Sequence, residues 1–141
     1  MISGFEKVAV IGAGTMGNGI AHVFAQHGYH VNLVDANPAA LDRALATIAA
    51  NLDRQVKKGS ITDADKAATL AHIAPHTDLA AAAQDRALVV EAVSESPDLK
   101  HKIFNTLDEP APAGCILASN TSSISITKIA ASTRRPGQVI G

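Results

Sequence analysis

Six residues near the start of the chain constrain its fold more than any others: Gly12-Ala13-Gly14-Thr15-Met16-Gly17, directly after the contiguous apolar run Val8, Ala9, Val10 and Ile11. An apolar run without polar alternation suits a strand covered on both faces, as in parallel sheets. The glycine spacing then assigns each residue a physical task. Gly12 permits a tight turn out of the strand, Gly14 lets a pyrophosphate approach the backbone, and Gly17 lets the next helix pack closely on the strand. The freed N–H groups at the helix start, with the helix dipole behind them, suit a diphosphate. Alone, the pattern fits a glycine-rich turn in any α/β protein. Its surroundings narrow it. Phe5–Ile11 reads as the strand before it, and Thr15–His27 as the helix after it, ending near Gly28. A second short strand, Val31–Val34, closes on Asp35, eighteen residues beyond Gly17. A carboxylate there accepts from both hydroxyls of an adenine ribose.

Strand and helix signals keep alternating downstream. Asn37 caps a helix that Pro38 opens and that runs to about Lys58, before Gly59. Its apolar set, Leu41, Leu45, Ile48, Leu52 and Val56, recurs at steps of three and four. Thr62 with Asp65 forms a capping box for a helix from Asp63 to about His72. Ile73–His76 carries a weaker strand signal. Ala87–Val93 reads as a buried strand, and Ser96 caps a helix from Pro97 to about Leu107. A loop at Pro110–Gly114 leads to a strand at Cys115–Ser119. Ser123 or Ser125 starts a short helix through about Ala131, and Gln138–Gly141 begins a last strand. This order predicts an α/β fold: a Rossmann-type, doubly wound and mostly parallel sheet with helices on both faces. The 141 residues form one domain, 1–141. Twenty-seven alanines suit helices packed close on such a sheet.

Composition removes other classes. With 47% apolar and 18% charged residues, a packed core is expected rather than disorder. A formal net charge of −1 offers no field for a nucleic-acid backbone. Aromatics at 3%, with no Trp, give no base-stacking platform. Cys115 is the only cysteine, so no disulfide framework exists and a reducing, cytoplasmic setting is expected. Val8 to Val34 carries no Asp, Glu, Lys or Arg. It still does not read as a membrane span or a leader, because five glycines and His22, Gln26, His27, His30 and Asn32 interrupt it. Asp35 also bears on the cofactor. Its carboxylate repels a 2′-phosphate, and the residues that follow, Ala36, Asn37 and Pro38, include no Arg. NAD is therefore expected over NADP; FAD, which uses a similar turn, is the alternative.

Three stretches together resemble one family. They are Val8-Ala-Val-Ile-Gly-Ala-Gly-Thr-Met-Gly-Asn-Gly-Ile-Ala21, then Val89-Val-Glu-Ala-Val-Ser-Glu95 with Lys100 and Phe104, and Ser119-Asn-Thr-Ser-Ser123. In this order the chain resembles the NAD-binding domain of the 3-hydroxyacyl-CoA dehydrogenases, including the 3-hydroxybutyryl-CoA dehydrogenases. The resemblance implies that Gly12, Ala13, Gly14, Thr15, Met16, Gly17 and Asp35 hold the adenine half of NAD. It implies that Glu95 and Lys100 contact the cofactor near its nicotinamide end. It places Ser122 between nicotinamide and substrate, as a catalytic hydroxyl bonded to the substrate's 3-oxygen. It makes Lys58, beside Lys57, a contact to the phosphates of an acyl-CoA substrate.

The same resemblance implies a general base elsewhere. In the family a His follows a Gly at the end of the sixth strand, in a Gly-x-His-Phe-x-Asn-Pro context, with a Glu partner further on. The sequence reaches Gly141 about where that segment would begin. The 141 residues are therefore expected to bind NAD weakly and to turn over nothing alone. A helical carboxyl-terminal domain and its homodimer contact would lie beyond. None of His22, His27, His30, His72, His76 and His101 is placed to substitute. Pro75 breaks a helical pairing of His72 with His76, so no metal site is expected. Two other readings stay open: a 3-hydroxyisobutyrate-type dehydrogenase domain, and a non-catalytic NAD-binding or structural module.

Overall fold

A computed structural model describes residues 2–121 and 123–141. Six strands form one sheet in the order β3-β2-β1-β4-β5-β6, and every neighbouring pair runs parallel. The strands are β1 (Lys7–Ile11), β2 (His30–Val34), β3 (Ile73–His76), β4 (Leu88–Glu91), β5 (Ile116–Ser119) and β6 (Val139–Ile140). The helices are α1 (Thr15–Gln26), α2 (Pro38–Lys57), α3 (Asp63–Ala71), α4 (Leu79–Ala83), α5 (Pro97–Leu107) and α6 (Ile126–Ala131). The expected doubly wound α/β fold is the observed one.

The contiguous apolar run in β1 has a direct explanation. Successive side chains of a strand point to opposite faces, and here both faces are covered. Val8 and Val10 join Val31 and Leu33 beneath α1 and α2, whose Ala21, Ala25, Leu41, Ile48 and Leu52 complete that layer. Ala9 and Ile11 join Val89 and Leu117 against Phe104 and Leu107 of α5 and Ile129 of α6. Small alanines at the helix contacts let these layers approach.

Helix starts follow local chemistry. The Asn37 side chain accepts from Ala39 N, with Pro38 in the first turn of α2. Thr62 and Asp65 make the full reciprocal capping box of α3. Ser96 caps α5 by accepting from Leu99 N. For α6 the cap is Ser125, which accepts from Lys128 N, and not Ser123. β3 pairs only with β2, so Pro75 sits on an edge strand, where a missing N–H is tolerated.

Two expectations need revision. Nothing in the sequence pattern announced α4. Its five residues are too few to show a helical period, yet Asp78 caps it through Ala80 N and Ala81 N. The fourth strand also ends at Glu91 rather than Val93. Ala92 N still bonds Ile11 O at 2.8 Å, after which the chain turns toward Ser96.

Candidate functional site: a cleft at the carboxyl ends of β1 and β4

Strand order reverses between β1 and β4. In an open α/β sheet the carboxyl ends of the strands there leave a ligand crevice. The crevice is present as a cleft of about 440 Å³, lined by Ile11, Gly12, Gly14, Val34 and Asp35 on one side and Ala92, Val93 and Leu99 on the other.

The glycine turn forms its floor. Gly12 has φ +102°, and a Cβ there would lie 2.9 Å from Ala92 O. A Cβ on Gly17 would lie 1.7 Å from Gly12 O, so no side chain fits between α1 and the turn. Gly14 differs: a Cβ there would meet no protein atom within 4 Å, and it opens onto the cleft. Gly14 is also the N-cap of α1, with no side-chain cap and no acidic residue in the first turn. The amino end of α1 is thus left to an anion supplied from outside, which suits a dinucleotide diphosphate. Asp35 follows β2. Its Oδ2 accepts from Ala13 N at 3.0 Å and its Oδ1 from Asn37 N at 2.9 Å. The acid and the glycine turn are therefore one hydrogen-bonded unit.

A second cluster lies on the β4 side. Glu91 and Lys100 are both fully buried and form an ion pair of 2.6 Å. Glu91 also accepts from Val93 N at 2.7 Å and Ser119 Oγ at 2.6 Å. Lys100 Nζ donates to Val93 O at 3.2 Å and stands 3.4 Å from Glu95 Oε1. Glu95 is exposed, and its Oε2 accepts from Thr121 Oγ1 at 2.7 Å and from Ser123 Oγ. The Ser123 and Thr121 hydroxyls, with the Lys100 ammonium, hold the Glu95 carboxyl below the usual carboxylate range.

The residues singled out in the sequence thus fall into separate places. Gly12, Ala13 and Gly17 are buried in the turn, and Gly14, Thr15 and Met16 form its exposed rim. Asp35 and Glu95 lie toward opposite halves of the sheet, one tied to the glycine turn and the other to Thr121 and Ser123. Lys100 lies inside the protein, reaching Glu95 but exposing nothing. Lys58 is the exposed C-cap of α2, at the far end of its twenty residues from Asn37. Ser122 lies outside the described residues. No histidine lines the cleft among the described residues. His30 and His72, at the amino-terminal starts of β2 and β3, meet edge to face at 4.8 Å. Burial pushes the Cys115 thiol up to about 11, far from a reactive thiolate. Among the described residues no three His, Cys, Asp or Glu side chains gather as for a metal.

Sequence reasoning missed Glu91, Ser119, Thr121 and Ser123 as parts of this cluster. Two signals were readable. Glu91 is a lone charge ending an apolar run. Lys100 shares the helical register of Ile103, Phe104 and Leu107, the buried face of α5.

Fold, glycine turn and Asp35 together define a dinucleotide-binding domain. The family described as "3-hydroxyacyl-CoA dehydrogenase, NAD binding domain" matches residues 7–141, and the chain belongs to it. NAD is accordingly the cofactor of this domain. The chain is 44% identical to 3-hydroxybutyryl-CoA dehydrogenase of Clostridioides difficile, over 96% of this chain and 48% of that protein. It is 46% identical to 3-hydroxyadipyl-CoA dehydrogenase of Escherichia coli strain K12, over 100% of this chain and 30% of that protein. The crystal structure of (S)-3-hydroxybutyryl-CoA dehydrogenase from Ralstonia eutropha superposes with a TM-score of 0.92 at 45% identity, over 96% of this chain and 47% of that one. The chain thus spans about half the length, or less, of these relatives. Among the described residues no helix is long and apolar enough to cross a membrane.

Proposed function

We propose that this chain is the cofactor-holding part of an enzyme that interconverts (S)-3-hydroxyacyl-CoA and 3-oxoacyl-CoA. The observation that carries the reading is the joint placement of an anion-ready glycine turn tied to Asp35 and, across the β1–β4 boundary, Glu95 held on Thr121 and Ser123. Family membership and relatives named as 3-hydroxybutyryl-CoA dehydrogenases support the acyl-CoA substrate class.

Bound NAD supplies the hydride acceptor. The chain's own residues bind and orient. Gly14 and the open first turn of α1 receive the diphosphate. Asp35 accepts from the adenine ribose and opposes a 2′-phosphate. Glu95 faces the nicotinamide end as a carboxylate, with Lys100 behind it. Ser122, between Thr121 and Ser123 in sequence, hydrogen-bonds the substrate's 3-oxygen and so aligns the carbon that gives up hydride. Lys58 meets the phosphates of coenzyme A; this role rests on resemblance and on its exposure at the end of α2. The proton that leaves the substrate hydroxyl needs a histidine-type base, and no histidine lines this cleft among the described residues. The reading carries with it a homodimer of the intact enzyme and a cytoplasmic location; the latter is supported by the single cysteine, free and buried.

Fluorescence titration of the 141-residue chain tests the cofactor part. NADH should bind at least about ten times more tightly than NADPH, because a 2′-phosphate would meet Asp35. Equal affinities would refute it. With acetoacetyl-CoA and NADH the same chain should give negligible turnover, and clear reduction would refute the assignment of the base to residues outside this cleft.

A further inference from the structure

We propose that Glu91 is a positioning residue for the nicotinamide end of the cofactor, acting through Lys100 on Glu95. The inference rests on the reading of Glu95 given above and deepens it.

Glu91 exposes no surface and does not itself line the cleft, so any effect on a ligand is indirect. It ends β4, where the preceding residues are apolar. Stability does not explain a carboxylate there, since an ion pair buried this deeply can often be replaced by apolar side chains without loss. Its bonds do. Through Ser119 Oγ and through its own carbonyl, which accepts from Asn120 N at 2.8 Å, Glu91 grips the end of β5. Through Val93 N it fixes the turn out of β4. Through Lys100 it anchors the ammonium that faces Glu95 Oε1.

The chain of contacts therefore runs from a fully buried carboxylate to one whose side chain is 45% exposed. At that exposed end Glu95 also grips Thr121 and Ser123. One buried residue thus bears on both the Glu95 carboxylate and its partners Thr121 and Ser123, just beyond β5. None of these bonds involves the Gly12–Gly17 turn or Asp35, which the segment after Glu91 meets only where Ala92 and Val93 pack on Gly12, so the adenine half of the site is the less affected.

The test compares NADH with ADP-ribose, which lacks the nicotinamide, on the 141-residue chain. Glu91→Gln should bind NADH about tenfold more weakly, the loss expected when a hydrogen bond to a charged group is removed, while ADP-ribose affinity stays within about twofold. Ser119→Ala, a milder change, should show the same split with a smaller loss. The double variant Glu91→Met with Lys100→Met should keep its melting temperature, because it replaces the ion pair by an apolar pair. It should still lose the advantage of NADH over ADP-ribose. If Glu91→Gln fails to fold, the other two variants decide. A folded double variant that binds both ligands as the wild type does would overturn the proposal, as would equal weakening of both ligands. A wild-type chain that binds ADP-ribose and NADH equally would instead overturn the nicotinamide-end reading of Glu95, and this inference with it.

Discussion

Gly14 and Gly17 stand three residues apart and are glycines for different reasons. A methyl on Gly17 would overlap Gly12 O at 1.7 Å, so α1 could not close on the turn. A methyl on Gly14 would meet no protein atom and would intrude only on a ligand. Gly17→Ala should therefore destabilise the chain by about 3 kcal/mol or more. Gly14→Ala should cost about 1 kcal/mol at most, as a weaker N-cap, and yet weaken NADH binding about tenfold or more. Thermal melts and NADH titrations of the two variants separate these outcomes; loss of stability in Gly14→Ala comparable to that in Gly17→Ala would contradict the assignment. Both glycines were legible, because spacing after an apolar strand leaves few alternatives. Glu91 was not. The motif containing it was recognised, but hydrogen bonds to Ser119 and Lys100 join residues up to twenty-eight positions apart, and no local pattern encodes them.

At the scale of elements, β6 is held by a polar staple. The Arg135 guanidinium donates to Asp108 Oδ1 at 2.9 Å, Asp108 O at 2.6 Å, Ala111 O at 3.0 Å and Pro112 O at 2.6 Å. It thereby satisfies carbonyls left open where α5 ends and ties that end to the segment entering β6. Burial alone would raise the Asp108 carboxyl, but the Arg134 N–H and the Arg135 guanidinium outweigh it and hold it below its ordinary value. A folded value below the unfolded one means the contribution is complete above the ordinary Asp range of about 4 and is lost as pH falls through the folded value. Arg135→Ala should cost about 3 kcal/mol at neutral pH. Asp108→Asn should lower the melting temperature at pH 7, and its gap from the wild type should narrow below about pH 4; a gap independent of pH would contradict this. The sequence made the capped helices readable, since Asn37-Pro38, Thr62 with Asp65 and Ser96-Pro97 are local signals. It hid α4, whose five residues show no period, and it left β3 faint because an edge strand containing Pro75 departs from strand preference.

On the scale of the whole molecule, the proposed function divides the cofactor's work at the β1–β4 boundary of the sheet. The β1-β2-β3 half carries the glycine turn and Asp35, proposed for the adenine end. The β4-β5-β6 half carries Glu91, Glu95, Lys100, Thr121 and Ser123, proposed for the nicotinamide end. The parallel fold was legible because alternation of strand and helix signals along the chain admits few topologies. Which side chains meet across the boundary was not, since that depends on the register of β4 with β5 and on the buried face of α5. The most direct measurement of the account is an amide chemical-shift map of the isotope-labelled 141-residue chain titrated with NAD. Shifts should concentrate at residues 12–17, at Asp35 and at residues 92–95 and 120–123, and should spare His30 and His72 at the opposite edge of the sheet. Shifts centred on that opposite edge, or none at saturating NAD, would contradict it.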